Sequence, residues 1–322
     1  MAREFAAKNI PVVGLNGLKI FHFQKIIKKE NPDILATYLI YSDLFGRIFG
    51  RIFGIKKIIT SLRSSYAEPR FKLWLLLEKI TSPLVDCYIS VSETVKNIYE
   101  KSVGIPGEKI EIIYNGVDIS KFDIQIDKKT KRQEIGLPEH ALIIGCIGKF
   151  RPEKGQKYLI WAMPEILQKF PDAVLALVGD GEEKEKLDKL IKSLELEQSV
   201  KLFGERQDVP EILKTFDVFV NPSLYEGMSN SILEAMAAKI PIAASDIPSN
   251  AEIIENGKTG LLMPVMNIEK IAESVIQILS SPELAKKLSS AAFQKVQNFT
   301  IEKTIEKLNV FFHQAVQHPI SS

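Results

Sequence analysis

Two glutamates separated by seven residues, Glu226 and Glu234, carry the strongest chemical signal in this chain. They stand in the stretch PSLYEGMSNSILEAMA, residues 222–237. A proline-containing turn leads in, one carboxylate neighbours a glycine, and an apolar-periodic segment carries the other. Carboxylates accept hydrogen bonds from sugar hydroxyls, and the first turn of a helix offers free backbone N–H groups to phosphate. The layout predicts a site for a ligand that is both hydroxylated and phosphorylated.

The helix in this stretch is predicted to begin near Ser229 or Asn230, because both residue types are good N-caps. The amides of Gly227, Met228 and Ser229 would then be free to face a phosphate group. These three residues and Asn230, which follows them, are therefore candidate binding residues through their backbone rather than their side chains.

Each of the two glutamates also has a purely structural explanation that needs no ligand. Ser231 and Glu234 have the spacing of a capping box, in which Glu234 would only close the first turn of the helix. Glu226 could be an exposed loop carboxylate. Spacing alone does not decide between these explanations and a binding role.

The segment GKFRPEKG, residues 148–155, is a second candidate site. It follows the apolar run LIIGCIG and precedes a helical pattern, and a strand end that turns into a helix is a natural anion site. Lys149 and Lys154 could neutralise a diphosphate as point charges. The alternative is a solvated turn with charged side chains.

Phe203 and Gly204 end the predicted strand VKLFG, with Asp208 beyond. A glycine there lets backbone approach a flat ring closely, although a strand followed by an ordinary turn explains the same residues.

The sequence contains none of the motifs that would indicate other kinds of active site. The run AVLALVGDG does not have the G-x-G-x-x-G spacing, no phosphate loop or G-x-S-x-G elbow occurs, and no Asp-x-Asp pair or histidine cluster indicates a metal site.

Short apolar runs alternate with helical patterns along most of the chain. This alternation predicts an α/β protein with parallel sheets and helices on both faces. The strand candidates are 10–13, 34–37, 56–60, 86–91, 110–114, 142–147, 174–178, 199–203, 217–221, 240–245 and 260–263. The helical stretches between them include 18–30, 69–82, 155–170, 182–195 and 229–239.

The charged, weakly periodic segment 118–140 interrupts this alternation and is interpreted as the connection between two doubly wound domains. Such domains bind ligands in the cleft outside the carboxyl ends of their strands. After residue 265 the pattern becomes purely helical. In the last helix Ile301, Ile305, Leu308 and Phe312 form a stripe that must be buried against another element.

The composition, 45% hydrophobic and 25% charged over 322 residues, is typical of a soluble globular protein of two domains. A net charge of +2 is too small to indicate nucleic acid, although residues 1–118 hold 17 lysines and arginines against 12 acidic residues.

Cys87 and Cys146 lie in apolar runs, which is typical of reduced cysteines in a protein core. No signal peptide or membrane-spanning run is visible, so we expect a cytoplasmic protein.

Taken together, these segments resemble the retaining glycosyltransferases of family four, which have the GT-B fold. The match covers roughly residues 10–315, and its landmarks occur in the order found in the family. They are SVSE at 90–93, NGVD at 115–118, GKFRPEKG at 148–155, LVGDGEE at 177–183, VKLFG at 200–204, the Glu226 segment at 222–237 and GLLM at 260–263.

The resemblance implies transfer of a sugar from a nucleotide diphosphate sugar to a glycan or lipid-linked acceptor, with retention of configuration and without a metal or cofactor. By position, Lys149 and Lys154 would hold the diphosphate and stabilise the departing phosphate. Glu226 would contact the donor sugar. The remaining positions implied to bind the donor are Glu234 at the ribose, the backbone of Gly227, Met228, Ser229 and Asn230, and Phe203 and Gly204 at the base.

The same resemblance implies two Rossmann-like domains that face each other across a cleft. Residues 1–118 would form the acceptor-side domain, completed by the C-terminal helix 299–317, and residues 119–298 would bind the donor. Two departures stand out. Lys149 replaces the arginine usual in the family, which keeps the charge but loses the bidentate fork. The chain also begins near IPVVGLNG, after the first strand and glycine-rich loop of the family, so the N-terminal domain is expected to be incomplete.

Residues 41–57, YSDLFGRIFGRIFGIKK, suggest a further hypothesis. A helix with Arg47, Arg51, Lys56 and Lys57 around apolar residues could rest on the inner face of an anionic membrane. The alternative is a crossover helix buried against the sheet with its arginines at one edge. For the whole chain, the rival functions are a catalytically impaired binding protein and a nucleotide-sugar epimerase of the same fold.

Overall fold

The computed structural model describes residues 20–64 and 72–317 of the protein. The first lobe contains a parallel sheet with the strand order β1-β2-β3-β4. Its strands are β1 (Ile34–Tyr38), β2 (Lys57–Leu62), β3 (Cys87–Ser90) and β4 (Ile110–Ile112). The helices that precede or connect them are α1 (Ile20–Glu30), α2 (Ile40–Ile52), α3 (Lys72–Thr81) and α4 (Glu93–Val103).

The second lobe contains a parallel sheet of six strands in the order β10-β9-β8-β5-β6-β7. Its strands are β5 (Ile143–Ile147), β6 (Val174–Val178), β7 (Val200–Leu202), β8 (Val218–Asn221), β9 (Ile242–Ser245) and β10 (Leu261–Met263). Its helices are α5 (Lys128–Glu134), α6 (Gln156–Lys169), α7 (Lys184–Ser193), α8 (Val209–Thr215), α9 (Asn230–Ala237), α10 (Pro248–Ile253), α11 (Ile268–Ser280) and α12 (Pro282–Val296).

The predicted fold class is confirmed, since every strand pair in both sheets is parallel and helices cover their faces. Strands in such sheets are buried on both sides, which explains their continuous apolar runs. The strand predicted at 10–13 lies outside the described residues. The domain limits 1–118 and 119–298 stay a prediction, although the stretch 113–142 separates the two sheets.

The predicted connection at 118–140 contains the helix α5, which the weak periodicity did not reveal. This helix is fixed by an arginine rather than by an apolar stripe. The buried Arg132 donates hydrogen bonds to the carbonyl of Thr215 and forms an ion pair of 2.7 Å with Asp217. Because the anchoring group is polar, hydrophobic periodicity could not detect it.

The two cysteines are free and buried, as predicted. Burial raises the pKa of each thiol to about 12, so both stay protonated at neutral pH. Cys146 lies in β5 within the core of the second lobe. Cys87 lies in β3 under the C-terminal helix α13 (Ile301–Gln317).

The helix α13 packs on the first sheet through Leu308 and Phe312 of the predicted stripe, but Ile305 of that stripe is not buried. Ile305 is 50% exposed, whereas Ala315 is 1% exposed. The inner face is centred on residues at helical spacing from Leu308 towards Phe311 and Ala315, which leaves Ile305 on the solvent side. The residues that this helix and the sheet bring together are Leu308, Phe311, Phe312 and Ala315 with Ile34, Ile59, Cys87, Ile89 and Ile113.

The helix α2 is a crossover helix between β1 and β2, and both of its arginines point inward, not outward as the membrane hypothesis needs. Arg47 is 0% exposed and forms an ion pair of 2.7 Å with Glu78 of α3. Arg51 donates to the carbonyl of Leu84 and pairs with Asp86 at 2.6 Å. The arginines therefore tie the helix to its own lobe instead of offering charge to a membrane.

None of the helices in the described part of the chain is both long and apolar enough to cross a bilayer.

The buried pair of Arg47 and Glu78 generates a stability prediction. Arg47→Ala should lower the free energy of unfolding by about 3–5 kcal/mol, because it leaves the Glu78 carboxylate buried without its partner. The matched control is the double variant Arg47→Met with Glu78→Leu, which removes both charges and should keep most of the stability. Urea unfolding followed by circular dichroism measures both. If both variants lose the same free energy of unfolding, the loss in Arg47→Ala does not come from leaving Glu78 without its partner, and the prediction is wrong.

Candidate active site

The turn after β5 is held by the neighbouring loop after β6. The amide of Gly148 donates to the carbonyl of Val178 at 3.0 Å, and the amide of Phe150 donates to the carbonyl of Asp180 at 2.9 Å. Phe150 is fully buried and anchors the turn in the core. A short helical turn, Pro152–Lys154, then leads to Gly155, whose φ of 66° favours glycine. Lys154 is thereby placed at the start of α6.

This turn lies directly against the loop after β8. The amide of Leu224 donates to the carbonyl of Glu153 at 2.8 Å. A Cβ atom on Gly155 would come within 2.1 Å of the carbonyl oxygen of Pro222, so only glycine fits here. Two loops that are about seventy residues apart in sequence are thus in backbone contact, and their side chains meet above the carboxyl ends of the strands.

Lys154 and Glu226 meet at this contact. The Lys154 Nζ lies 2.6 Å from Glu226 Oε1, and the Ser223 hydroxyl donates to the same oxygen at 2.8 Å. The side chain of Glu226 is 9% exposed and that of Lys154 is 27% exposed. Such a shielded pair is less screened by solvent than a surface ion pair. It brings together a cation suited to phosphate and a carboxylate suited to hydroxyls.

Lys149 is located on the same turn, but it is not part of this pair. Its side chain is exposed and makes no ion pair with any described residue. Its carbonyl accepts a hydrogen bond of 3.1 Å from the side chain of Gln156. The backbone at Lys149 is therefore fixed, while its ammonium group is available to an anion that enters from solvent.

The helix α9 begins at Asn230 with Ser229 as its N-cap, as the sequence predicted. Gly227, Met228 and Ser229 are buried, and Asn230 is exposed. Within the described residues, the amides of Gly227, Met228 and Ser229 have no hydrogen-bond acceptor. Free amides at a helix start can bind an anion, with the helix dipole in support.

Glu234 lies one turn into α9 and does not form the capping box. Ser231 is already inside the helix, so its spacing to Glu234 has no capping function. Burial raises the pKa of the Glu234 carboxyl to about 7. The carboxyl lines a hollow of about 220 Å³, and the other residues around this hollow are Gly116, Val117, Asp118, Lys121, Phe122, Val209, Pro210, Asn230 and Leu233.

Phe203 and Gly204 lie at the carboxyl end of β7, with Gly204 at a φ of 65°. They are not among the described residues that line the hollow; Val209 and Pro210, farther along the same loop, are. Asp208 in this loop is paired with Arg206 and Lys131, and the Arg206 guanidinium holds the pKa of the Asp208 carboxyl well below its usual range. These contacts fix the loop after β7. Because β7 is the edge strand and lies three positions from β8 in the sheet, this loop is distant from Glu226.

The loop before α9 also contacts the first lobe. The Ser92 hydroxyl donates to the carbonyl of Gly227 at 2.7 Å. A Cβ atom on Gly227 would come within 2.3 Å of the carbonyl oxygen of Arg63. The side chain of Asn115 joins Arg63, at 2.7 Å, to Asn230, at 2.9 Å. The carboxyl ends of the two sheets therefore face each other across this loop.

A second contact between the lobes involves Glu252 of α10. Its carboxylate accepts hydrogen bonds from the amides of Glu93, at 3.0 Å, and Thr94, at 2.7 Å. These amides are the first of α4, where a carboxylate is favoured by the free N–H groups and the helix dipole. Glu252 thus caps a helix of the opposite lobe.

Sequence analysis identified the two sides of the Lys154–Glu226 pair but missed Ser223, which contacts Glu226, and three residues that join the lobes: Ser92, Asn115 and Glu252. Ser92 and Asn115 occur in the SVSE and NGVD landmarks, which were noted only for their order. Ser223 lies inside the glutamate segment itself. Glu252 has no local signal, because its partners are 158 and 159 residues away.

No three His, Cys, Asp or Glu side chains come together as a possible metal cage within residues 20–64 and 72–317. Lys154 is in contact with the Glu226 carboxylate, and Lys149 precedes Lys154 by five residues on the same turn.

Two family descriptions match this chain. "Glycosyl transferases group 1" matches residues 127–295, just over half of the chain, and "Glycosyltransferase Family 4" matches residues 5–121. Among characterised relatives, the UDP-Gal:alpha-D-GlcNAc-diphosphoundecaprenol alpha-1,3-galactosyltransferase of Escherichia coli is 29% identical over 293 residues, which is 88% of this chain and 76% of that protein. The N-acetyl-alpha-D-glucosaminyl L-malate synthase of Bacillus anthracis is 28% identical over 233 residues, 72% of this chain and 60% of the relative.

Solved structures share the same fold. The Anabaena protein HepE in complex with UDP and glucose superposes with a TM-score of 0.88 at 21% identity, covering 97% of this chain and 88% of HepE. The sucrose-phosphate synthase of Thermosynechococcus elongatus gives a TM-score of 0.83 at 22% identity, covering 95% and 81%. At such identities the likeness shows the architecture alone, whereas the family match over half of the chain shows descent. The chain is a glycosyltransferase of group 1, with the two facing lobes of the GT-B fold.

Proposed function

We propose that this glycosyltransferase moves a sugar from a nucleoside diphosphate sugar to a glycan or lipid-linked acceptor, with retention of configuration and without a metal or cofactor. The observation that carries the proposal is the contact between Lys154 and Glu226 beside the free amides of α9. At this contact, a lysine and backbone amides suited to phosphate lie next to a carboxylate suited to sugar hydroxyls. The E. coli relative, whose name includes UDP-Gal and a diphosphoundecaprenol acceptor, supports the same donor and acceptor classes.

The diphosphate is assigned to the positive groups of the two loops. Lys154 would contact a phosphate oxygen, and Lys149 would approach it from the solvent side. The amides of Gly227, Met228 and Ser229 would complete the cradle. As the bond to the sugar breaks, negative charge grows on the departing phosphate, and fixed positive groups stabilise that charge more than they stabilise the bound donor.

The sugar is assigned to Glu226. Its Oε1 already accepts hydrogen bonds from Lys154 and Ser223, so this carboxylate is held as a hydrogen-bond acceptor rather than poised as a free nucleophile. Hydroxyls of the donor sugar would bind to the same carboxylate. This role fits the retention of configuration implied by the family resemblance, in which the leaving phosphate and the acceptor share one face of the sugar.

The nucleoside is assigned to the other end of α9. Glu234 would accept hydrogen bonds from the two ribose hydroxyls, and the adjoining hollow would hold part of the nucleoside. Phe203 and Gly204 would border the base from the neighbouring loop. Asn230, at the start of the helix, would lie between the ribose and the phosphates.

The first lobe would supply the acceptor. Ser92, Asn115 and Arg63 already contact the loop before α9, so an acceptor bound there would approach the donor sugar across the cleft. We propose a cytoplasmic enzyme that works at the inner membrane face. The lipid-linked acceptor in the name of the E. coli relative supports this location.

Glu226→Gln should lower kcat for sugar transfer by roughly a hundredfold or more, because it removes the charged acceptor that aligns the donor sugar. The assay is transfer from UDP-sugars to a lipid-linked acceptor, with product anomers read by NMR. Glu255→Gln, at an exposed carboxylate, is the matched control and should keep full activity. Unchanged turnover in Glu226→Gln would overturn the assignment, and an inverted product would overturn retention.

Lys154→Ala should weaken UDP binding by about 10- to 100-fold, because a hydrogen bond to a charged group contributes about 1.5–3 kcal/mol. The variant also leaves the carboxylate of Glu226 unpaired beside the phosphates, which adds repulsion. Isothermal titration calorimetry measures the affinity, and Lys157→Ala, three residues along α6, serves as the control. UDP affinity equal to that of the parent protein would refute the diphosphate role.

Nucleoside binding should depend on pH through Glu234. The ionised carboxylate is the better acceptor for ribose hydroxyls, and its pKa is raised to about 7. Affinity should therefore reach its plateau above pH 7 and fall as the carboxyl is protonated, by about tenfold at pH 6. Uridine is the probe, since it has no phosphate that titrates in this range. Glu234→Gln should bind weakly and with a flat profile; a parallel pH dependence in that variant would rule Glu234 out.

A further inference from the structure

The N-cap serine of α9 makes no side-chain hydrogen bond to the helix that it begins. Ser229 has the extended backbone of an N-cap, but its hydroxyl accepts from none of the first-turn amides. Three other helices of the protein show the usual arrangement. Ser92 before α4, Asn267 before α11 and Ser281 before α12 each accept from the amide three residues on, at 3.1, 3.0 and 3.2 Å. The equivalent donor for Ser229 is the amide of Ile232.

A buried asparagine at the end of β8 holds this hydroxyl instead. Asn221 is 4% exposed, and its side-chain nitrogen Nδ2 donates to Ser229 Oγ at 3.1 Å. Ser229 is 2% exposed, and its Oγ also lies 3.2 Å from the hydroxyl of Ser231. Hydrogen bonds that are shielded from water are strong, and breaking them leaves buried polar groups without partners. The Ser229 oxygen is therefore held by side chains rather than by the amides of α9.

The orientation of the Asn221 side-chain amide follows from its other contacts. Its Oδ1 accepts from the backbone amide of Ser223 and from the side-chain nitrogen of Asn250, each at 3.4 Å. A backbone N–H can only donate, so the oxygen faces Ser223 and the nitrogen is left to face Ser229. Asn250 is 0% exposed and is fixed in turn by a bond of 2.9 Å to the carbonyl of Ser245.

The amides at the start of α9 remain open as a result. The first amides of a helix have no acceptor within the helix, and here these are the amides of Asn230, Ser231 and Ile232. Among the described residues, no side chain accepts from them. An N-cap hydroxyl normally occupies one of these N–H groups, and a phosphate at a helix start binds the same groups. The cap and the ligand therefore compete for one set of donors.

We propose that Asn221 is a positioning residue of the donor site: it keeps the Ser229 hydroxyl off the start of α9, so that the amides of Ser231 and Ile232 stay free for the diphosphate. The inference rests on the proposed function for the identity of the ligand, and it adds two amides to the three assigned above. Without Asn221, rotation about the Cα–Cβ bond of Ser229 would bring the hydroxyl to the amide of Ile232. The helix would then be capped, and its start would bind an anion less well.

Asn221→Ala should weaken UDP binding by about tenfold, because the diphosphate then competes with a hydroxyl cap. UDP is the probe, since it carries the diphosphate without the sugar that is assigned to Glu226. Isothermal titration calorimetry measures the affinity. The matched control is Thr215→Val, which removes a fully buried hydroxyl of the same lobe that donates to the carbonyl of Ile212 at 2.6 Å. This control should bind UDP as the parent protein does.

A double-mutant cycle tests whether the Ser229 hydroxyl is the cause. In a Ser229→Ala background no hydroxyl can cap the helix, so adding Asn221→Ala should change UDP affinity by less than about twofold. A residue that only stabilised the loop would weaken binding equally in both backgrounds, and that result would overturn the proposal. The thermal midpoint shows whether each variant is folded. Asn221→Leu, which fills the space with an apolar side chain, takes the place of Asn221→Ala in the cycle if alanine destabilises the lobe.

Amide hydrogen exchange tests the open cap without a ligand. In Asn221→Ala the amide of Ile232 should exchange more slowly than in the parent protein, relative to the amide of Val95, which Ser92 already caps. NMR measures both rates, and an unchanged ratio would overturn the proposal.

The two levels of the argument fail differently. If Lys154→Ala weakens UDP binding and Asn221→Ala does not, the role of Asn221 is wrong and the donor site stands. If neither variant weakens UDP binding, the donor site itself is wrong, and the inference is wrong with it.

Discussion

The backbone contact between the turn after β5 and the loop after β8 is the constraint on which the candidate site depends. Gly155 fits against the carbonyl of Pro222 only because it lacks a Cβ atom, and Leu224 donates to the carbonyl of Glu153. The close approach fixes the distance between Lys154 and Glu226 before any ligand arrives. In the proposed function, charges preorganised in this way would need little rearrangement as a phosphate becomes more negative.

The same loop also forms much of the contact between the lobes. Gly227 lies against Arg63 and accepts from Ser92, and its neighbours Met228 and Asn230 contact Asn115. Any movement of the lobes therefore changes the surroundings of the residues that are assigned to the donor. Glu252, by capping α4 from the other lobe, stabilises the arrangement in which the lobes are together. In the proposed function, donor binding and any movement of the lobes would therefore involve the same contacts.

The sequence predicts the architecture well because parallel strands leave apolar runs and helices leave a period of 3.6 residues. It also predicts the start of α9, since the N-cap depends on local residue types, whereas the role of Glu226 stays a prediction. Prediction from the sequence fails where contacts with residues far away in the chain determine how a side chain is placed. For the arginines of α2 the sequence left a membrane-facing set and a buried crossover helix as alternatives, and only the distant partners Glu78 and Asp86 show that the arginines turn inward. Ile305 looked buried, but the contact between α13 and the sheet selects a different side of the helix. Glu252 was missed because no local pattern marks a cap that belongs to another lobe.

The two chain crossings between the lobes lie side by side. The amide of Val117 donates to the carbonyl of Phe299, and the amide of Ile301 donates to the carbonyl of Val117. Gly116 is packed so tightly on this segment that a Cβ atom would lie 2.6 Å from the Cα of Ile301. The two crossings are thus joined to each other by backbone hydrogen bonds, so a movement of one lobe relative to the other would have to displace both crossings together.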